Sequence, residues 1–212
     1  MAKTLSSFCA AVALCAMFAA PAAQANPATE AFIQQSFDKG YTILNNASLS
    51  DAERREQFRA LLVGLAASRR VALFTLGPYA ASASPADIEA FVAAFTHYSI
   101  AVYENALGRY KGQTLKVTGS TDRGSDDSVV QTAIANANGP PLLIAFRVRP
   151  DENGAPTVTD IQVEGVSLAG TQRADFTGFL KQHNGAIPEL VKSLDALAEK
   201  LAAKADTVSA AN

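Results

Sequence analysis

The sequence contains little cysteine and no tryptophan. Its only cysteines, Cys9 and Cys15, lie within the first 25 of its 212 residues. The rest of the chain therefore cannot form a disulfide, and burial of apolar side chains must hold its fold together. Hydrophobic residues make up 49% of the chain, including 11 Phe. We expect one globular domain, or two small ones.

Residues for catalysis or metal binding are also scarce. His97 and His183 are the only histidines, and no carboxylate pair stands at ligand spacing, so no zinc or iron site is recognisable. The sequence contains neither a Gly-x-Ser-x-Gly elbow nor a phosphate loop with Gly-Lys-Ser/Thr. A lone histidine in an aromatic helix is more often a packed or surface residue than a catalyst. No cofactor is expected, and the chain is neither an ATPase nor a permease.

Runs of basic residues are absent as well. The net charge is −2, and Arg54-Arg55 and Arg69-Arg70 are isolated pairs. Binding of a phosphate backbone would need a clustered basic face. Nucleic acid is therefore not an expected partner.

Only one long apolar run occurs, and it lies at the N-terminus. Lys3 precedes the apolar residues 5–20, and Ala23-Gln24-Ala25 is a small-x-small cleavage site. The alternative, a membrane-anchoring helix, is less favoured because the run is short for a span of about 20 residues. The pattern predicts a signal peptide, residues 1–25, cleaved after Ala25.

The remaining sequence predicts one domain, residues 26–204, with a flexible tail at 205–212. Helices are expected over residues 26–110, strands over 113–164 and helices again over 170–204. This order defines an α+β fold.

Two helix starts are marked by capping sequences. Ser50-Asp51-Ala52-Glu53 is a capping box, and Ser84-Pro85-Ala86-Asp87 repeats the signal with proline at the first helical position. The helix that follows Ser84 carries an apolar-aromatic stripe and is expected to end near Gly108. The stripe consists of Ile88, Phe91, Val92, Phe95, Tyr98, Val102 and Tyr103.

Alternation with a period of two predicts four strands in a curved antiparallel sheet. In the third strand Ile144, Phe146 and Val148 share one face, opposite Arg147 and Arg149. The apolar face needs a cover, and the stripe of the Ser84 helix and the C-terminal helices are the expected covers. Such a sheet with helices around an apolar cavity would be NTF2-like in part.

The fourth strand passes into a helix at a sharp corner. Ile161 and Val163 alternate with polar residues up to Gly165, after which the spacing of Phe176, Phe179 and Leu180 is helical. Gly165 permits a sharp turn of the backbone.

The residues of this corner carry a family resemblance. The corner has the motif Val163-Glu164-Gly165-Val166-Ser167-Leu168, with Arg173 and Phe176 after it and with Tyr110-x-Gly112 and the aromatic helix before it. This arrangement resembles the MlaC or toluene-tolerance family of periplasmic lipid-shuttle proteins. The resemblance covers most of residues 28–201. It implies a periplasmic location and a deep apolar cavity that holds phospholipid acyl chains.

The resemblance also implies partners. They are an outer-membrane lipoprotein complex and an inner-membrane ABC transporter with a lipid-binding subunit, which a monomeric carrier would visit in turn. Phe74-Thr75-Leu76-Gly77-Pro78-Tyr79 stands where an Arg- or Lys-containing segment would be expected. In this respect the chain resembles the branch associated with hopanoid biosynthesis clusters, which makes a hopanoid the alternative ligand.

The expected lipid-binding residues are apolar or aromatic side chains on elements that would surround the cavity, and Phe91, Phe95, Phe146 and Val166 are favoured over Leu61 or Leu194. The full set comprises Phe74, Leu76, Tyr79, Phe91, Phe95, Tyr98, Val102, Ile144, Phe146, Val148, Val163, Val166, Leu168, Phe176 and Phe179. No catalytic residue is predicted.

Two other function classes remain open. An NTF2-like periplasmic enzyme would need a buried carboxylate with a raised pKa, whereas Asp160 and Glu164 fall on the strand face opposite Ile161 and Val163. A periplasmic adaptor would bind protein through an exposed apolar patch. The same aromatic residues could also be an ordinary core without any ligand.

Overall fold

The structure is a computed structural model that describes residues 25–107, 112–136 and 139–209. The predicted signal peptide before Ala25 lies outside the described residues, and so do the helix end predicted near Gly108, the motif residue Tyr110 and the last three residues of the predicted tail.

The described residues form six α-helices and one short 3₁₀-helix. They are α1 (Pro27–Leu44), α2 (Asp51–Leu65), α3 (Ser68–Leu76), the 3₁₀-helix (Gly77–Ala81), α4 (Pro85–Leu107), α5 (Leu168–Gln182) and α6 (Ile187–Ser209). Because α6 continues to Ser209, the backbone of the predicted tail is helical up to that residue. Within the described ranges, no helix is both long and apolar enough to cross a membrane.

The helix starts that the capping sequences predict are confirmed. The amide of Glu53 donates to Ser50 Oγ at 3.3 Å, and the amide of Ser50 donates to the Glu53 carboxylate at 2.8 Å. The amide of Asp87 donates to Ser84 Oγ at 3.1 Å. These side chains satisfy amides that a helix N-terminus leaves without a partner.

The four predicted strands form, and a fifth strand of two residues joins them. The antiparallel sheet has the order β1 (Leu115–Gly124), β2 (Asp127–Ile134), β3 (Leu142–Pro150), β4 (Pro156–Val163) and β5 (Val166–Ser167). Bulges in β1 and between β3 and β4 interrupt the register, and bulges bend and twist the strands that carry them.

The corner after β4 is a two-residue hairpin. Val163 pairs with Val166, and the two residues between them, Glu164 and Gly165, have φ angles of 49° and 80°. Positive φ at both central residues is the conformation that joins two twisted strands tightly. The sharp turn predicted at Gly165 is therefore confirmed.

One core lies among the helices α3 to α6. Its buried residues include Leu76, Phe91, Phe95, Leu180 and Leu194. The ring of Phe176 meets the rings of Phe91 and Phe95 edge to face, with centroids 6.0 and 6.4 Å away. These rings fill space between the helices and stabilise one another.

A second core joins α1 to the sheet. Ile33 of α1 packs with Val130 and Val148, and the ring of Phe37 meets that of Phe146 edge to face at 5.3 Å. The register places Val130 opposite Phe146, so these side chains share the face that α1 covers.

The expectation that helices cover the sheet is confirmed, and among the expected covers α5 contacts β4. The stripe of α4, however, packs mainly against α6 and α3, because its aromatic rings find partners on α5 and α6. It is α1 that covers the apolar face of β1, β2 and β3. The described residues thus divide into a helical core and a sheet core.

Candidate functional site

A groove runs between α1 and α2. Its volume is about 320 Å³. Both helices contribute its walls, with Phe32, Gln35, Ser36 and Lys39 on α1 and Ala60, Leu61, Gly64 and Leu65 on α2. Phe32 also packs against the sheet core, so the floor of the groove adjoins the apolar face of the sheet.

Small residues of α2 leave the groove open. A side chain added at Gly64 would meet no atom within 4 Å, whereas one added at Gly40 would lie in ordinary contact, 3.7 Å from Phe58 and Leu61. The groove is open where Ala60 and Gly64 place little or no side chain opposite Phe32.

The outer wall of the groove is lightly packed. Helix α2 contains no buried residue, and Val63 on its outer side is 48% exposed. Its apolar residues Phe58, Leu61 and Leu65 are only half-buried. A helix that buries so little apolar area contributes little to the free energy of folding.

A charged pair connects α2 to α4. Arg59 Nε and a terminal guanidinium nitrogen donate to the Glu104 carboxylate at 2.9 and 3.1 Å. The side chain of Glu104 is only 8% exposed. The hydrogen bonds to Glu104 raise the pKa of Arg59, so the guanidinium remains charged at any physiological pH.

The fifteen residues predicted to bind lipid occupy four environments. Those in or against the helical core are Leu76, Tyr79, Phe91, Phe95, Tyr98, Phe176 and Phe179. Those in or against the sheet core are Phe146 and Val148. The half-buried residues outside both cores are Val102, Ile144 and Val163. The exposed residues are Phe74, Val166 and Leu168.

The favoured residues of the set do not come together. Phe91 and Phe95 pack in the helical core, Phe146 packs against the sheet core, and Val166 is 59% exposed on the hairpin. None of them lines the groove, whereas Leu61, which was ranked below them, does. These residues were favoured because their elements were expected to face each other across the concave side of the sheet, and α4 instead packs in the helical core.

Two tyrosines of α4 offer hydroxyl groups beside the apolar residues. Burial raises the pKa of the Tyr98 and Tyr103 phenols, so both remain protonated at neutral pH and can donate a hydrogen bond. Tyr103 lies near Asp160 of β4.

The carboxylates at the corner act as structural acceptors. Asp160 accepts a hydrogen bond from the amide of Ala169 at 3.1 Å, and Glu164 accepts one from the amide of Leu143 at 2.8 Å. The first holds the start of α5, and the second ties the β4–β5 turn to β3. Both carboxylates thus satisfy backbone amide groups as hydrogen-bond acceptors.

The histidines lie at the protein surface. His97 Nδ1 is 3.8 Å from Asp195, with both side chains about half exposed, and His183 stacks on the ring of Phe179 at 3.9 Å. Across the part of the chain that the structure describes, no three His, Cys, Asp or Glu side chains are grouped so that they could hold a metal ion.

The fold and the groove define an α+β protein whose helices cover an antiparallel sheet, with a groove of mixed apolar and polar lining between α1 and the lightly packed α2. The sequence matches the family described as MlaC protein over residues 34–196. The chain therefore belongs to the MlaC family.

A solved structure with the same fold comes from Ralstonia solanacearum. It is a phospholipid-binding protein in complex with a phospholipid, 25% identical in sequence, with a TM-score of 0.70. The match covers 82% of this chain and 98% of the Ralstonia chain.

Proposed function

We propose that the protein is a periplasmic carrier that holds phospholipid acyl chains in an apolar site and moves the lipid between membrane complexes. The observation that carries this proposal is the groove between α1 and α2, which is lined by Phe32, Leu61 and Leu65 and adjoins the sheet core. Membership of the MlaC family and the phospholipid bound to the Ralstonia relative support it.

The groove supplies what the transport of a lipid through water requires. Each buried CH₂ group contributes about 0.8 kcal/mol, so shielding one acyl chain is worth on the order of 10 kcal/mol. An apolar wall is sufficient for this task, and no catalytic group is needed. Gln35 and Lys39 on the α1 side would face the polar part of the lipid.

The lipid site would extend beyond the groove. A volume of about 320 Å³ is at the low end for sites that hold drug-sized ligands, roughly 300–1,000 Å³. A phospholipid with two chains needs more space. Since Phe32 joins the groove to the sheet core, the chains would reach toward Phe146 and the half-buried residues Val102, Ile144 and Val163.

The carrier would exchange lipid with two membrane partners. An inner-membrane ABC transporter with a lipid-binding subunit and an outer-membrane lipoprotein complex would each dock against a monomer. The mature chain would reach them in the periplasm after removal of residues 1–25.

Native mass spectrometry tests the proposal. The mature protein is purified from periplasm without detergent, and any molecule released on denaturation is identified. We expect an adduct at phospholipid mass. An adduct at triterpenoid mass would move the ligand to a hopanoid, and a folded protein without any adduct would contradict the carrier function.

A further inference from the structure

Helix α2 is tied to the rest of the fold at its C-terminal end and through Arg59. At its N-terminal end the capping box closes on Ser50. At its C-terminal end the amide of Ala67 donates to the carbonyl of Val158 at 3.0 Å, and Ala66 bridges to the same strand. Between these points α2 has no buried side chain to anchor it.

We propose that α2 is the door of the lipid site, that acyl chains enter and leave through the α1–α2 groove, and that the Arg59–Glu104 pair is the latch of this door. The inference rests on the proposed function and names the route by which its ligand is loaded. It assigns the two charged residues a role in lipid exchange, in addition to any contribution to stability.

The volume of the groove supports an outward movement of α2 when lipid enters. At about 320 Å³ the space between α1 and α2 is too small for a phospholipid with two chains, since drug-sized ligands already fill sites of roughly 300–1,000 Å³. The helical core and the sheet core are closely packed and would lose buried contacts if they separated. Of the two helices that wall the groove, α1 has buried residues and α2 has none, so α2 is the wall that gives way first.

The bonds at the C-terminal end of α2 make a suitable hinge. The bridge between Ala66 and Val158 ties the chain to the rigid sheet, while Ala66 itself has the extended conformation that ends the helix. Rotation about this point would swing Leu61 and Leu65 away from Phe32. Hinges of moving lids are often a few residues at the ends of elements.

The latch lies where such a rotation would break it. Arg59 is on the moving helix and is 47% exposed, whereas Glu104 is on α4 and is nearly buried. Two parallel hydrogen bonds hold a guanidinium in one orientation. When α2 swings out, the pair separates and water reaches Glu104, which favours a brief opening rather than a stable open state.

A cross-link tests the door. In the variant Gly40→Cys/Leu61→Cys the two cysteines lie on facing sides of α1 and α2, where the glycine position is 3.7 Å from the leucine side chain. Because Cys9 and Cys15 belong to the predicted signal peptide, these would be the only thiols of the mature protein. A short thiol-specific cross-linker then fixes α2 against α1.

The readout is the transfer of a fluorescent phospholipid from phosphatidylglycerol vesicles to the protein and back to unlabelled vesicles. We expect the cross-linked variant to exchange lipid about tenfold more slowly, or not at all. Because Leu61 lines the groove, the reference rate is that of the same variant without the cross-linker, in which the substitutions have the same effect. An equal exchange rate before and after complete cross-linking would contradict the role of α2 as the door.

The variant Glu104→Gln tests the latch. It keeps the shape of the side chain and avoids leaving a buried carboxylate alone, as removal of Arg59 would do. We expect exchange to be faster by about three- to tenfold, because the neutral amide holds Arg59 less strongly. Glu199→Gln, at an exposed position of α6, is the matched control.

The outcomes separate this inference from the function on which it rests. If the parent protein takes up no phospholipid, the proposed function fails. If the parent exchanges lipid and the cross-link has no effect, only the role of α2 as the door is contradicted. An unchanged exchange rate in Glu104→Gln would contradict the role of the Arg59–Glu104 pair as the latch.

Discussion

Gly64 shows how a single small residue can leave a groove open between two helices. It lies on α2 beside the groove, and a side chain placed there meets no atom within 4 Å. The variant Gly64→Leu should therefore fill the groove without a clash. It should also stabilise the helix, because glycine is about 0.8–1.0 kcal/mol less favourable than alanine in a helix interior.

We expect Gly64→Leu to remain at least as stable as the parent and to lose most of its bound lipid. Gly178→Leu is the matched control, since Gly178 also lies in a helix with nothing within 4 Å but is far from the groove. Lipid content by native mass spectrometry and unfolding by urea give the two readouts. Full lipid occupancy in Gly64→Leu would place the acyl chains elsewhere.

Phe91 illustrates the opposite case of a large residue with a structural role. Its side chain is 0% exposed, and its ring lies 6.0 Å from that of Phe176. The substitution Phe91→Ala should lower the free energy of unfolding by about 3–5 kcal/mol through loss of burial and a new cavity. The molecules that fold should still carry lipid.

Urea unfolding followed by lipid analysis of the folded fraction checks this prediction. Leu197→Ala, at a position that is 43% exposed on α6, should change stability by less than about 0.5 kcal/mol. A stable Phe91→Ala protein without lipid would instead place Phe91 in the wall of the site.

At the scale of elements, an ion pair joins β2 to β3 next to the turn between β1 and β2. Arg147 Nε donates to the Asp127 carboxylate at 2.7 Å, and this hydrogen bond lowers the pKa of Asp127. A carboxylate with a lowered pKa adds stability that is present above its unfolded pKa of about 3.9. That stability is lost as the pH falls through the folded pKa.

The variant Asp127→Asn should therefore unfold more easily at pH 7, by about 1 kcal/mol for a pair that is partly exposed to solvent. The difference from the parent should begin to shrink below a pH of about 4, where the carboxylate of the unfolded chain takes up a proton, and should vanish as the pH falls through the lowered pKa of the folded protein. Asp126→Asn, at the exposed neighbouring position, is the control. A difference that stays constant from pH 7 to pH 3 would contradict the assignment to charge.

Elements that are determined by residues close together in the sequence could be predicted. The capping residues Ser50 and Ser84, the alternating strands and the turn at Gly165 each depend on neighbours within a few residues. Strand β5 was missed because two residues cannot show a period. The cover of the sheet was misassigned because the apolar faces of α1 and α4 look equally suitable, and only tertiary packing decides between them.

The groove could not be predicted for a related reason. Its volume comes from Ala60 and Gly64 on one helix facing Phe32 on another, and no pattern along the chain reports the distance between two helices. Apolar periodicity identifies which side chains are buried, but not where a gap remains between two packed helices. The fifteen predicted residues are apolar or aromatic side chains on elements expected to surround a cavity, and such side chains equally form a filled core.

At the scale of the whole molecule, the helical core and the sheet core are separate clusters of buried residues. A lipid in the recess between α1, α2 and the sheet would add apolar contacts that neither core supplies. A ligand that binds only the folded state raises stability by about 2.7 kcal/mol at a concentration of 100 times Kd. Bound lipid would thus contribute to the free energy of unfolding of the protein.

Removal of the lipid should therefore lower the melting temperature. For a protein of this size each kcal/mol corresponds to about 2–4 °C, so we expect a decrease of roughly 5–10 °C. Scanning calorimetry compares the protein as purified with protein unfolded in guanidinium, freed of lipid and refolded. Addition of phospholipid should restore the higher temperature. If stoichiometric lipid leaves the melting temperature unchanged, the lipid lies outside the fold, for example on an exposed apolar patch.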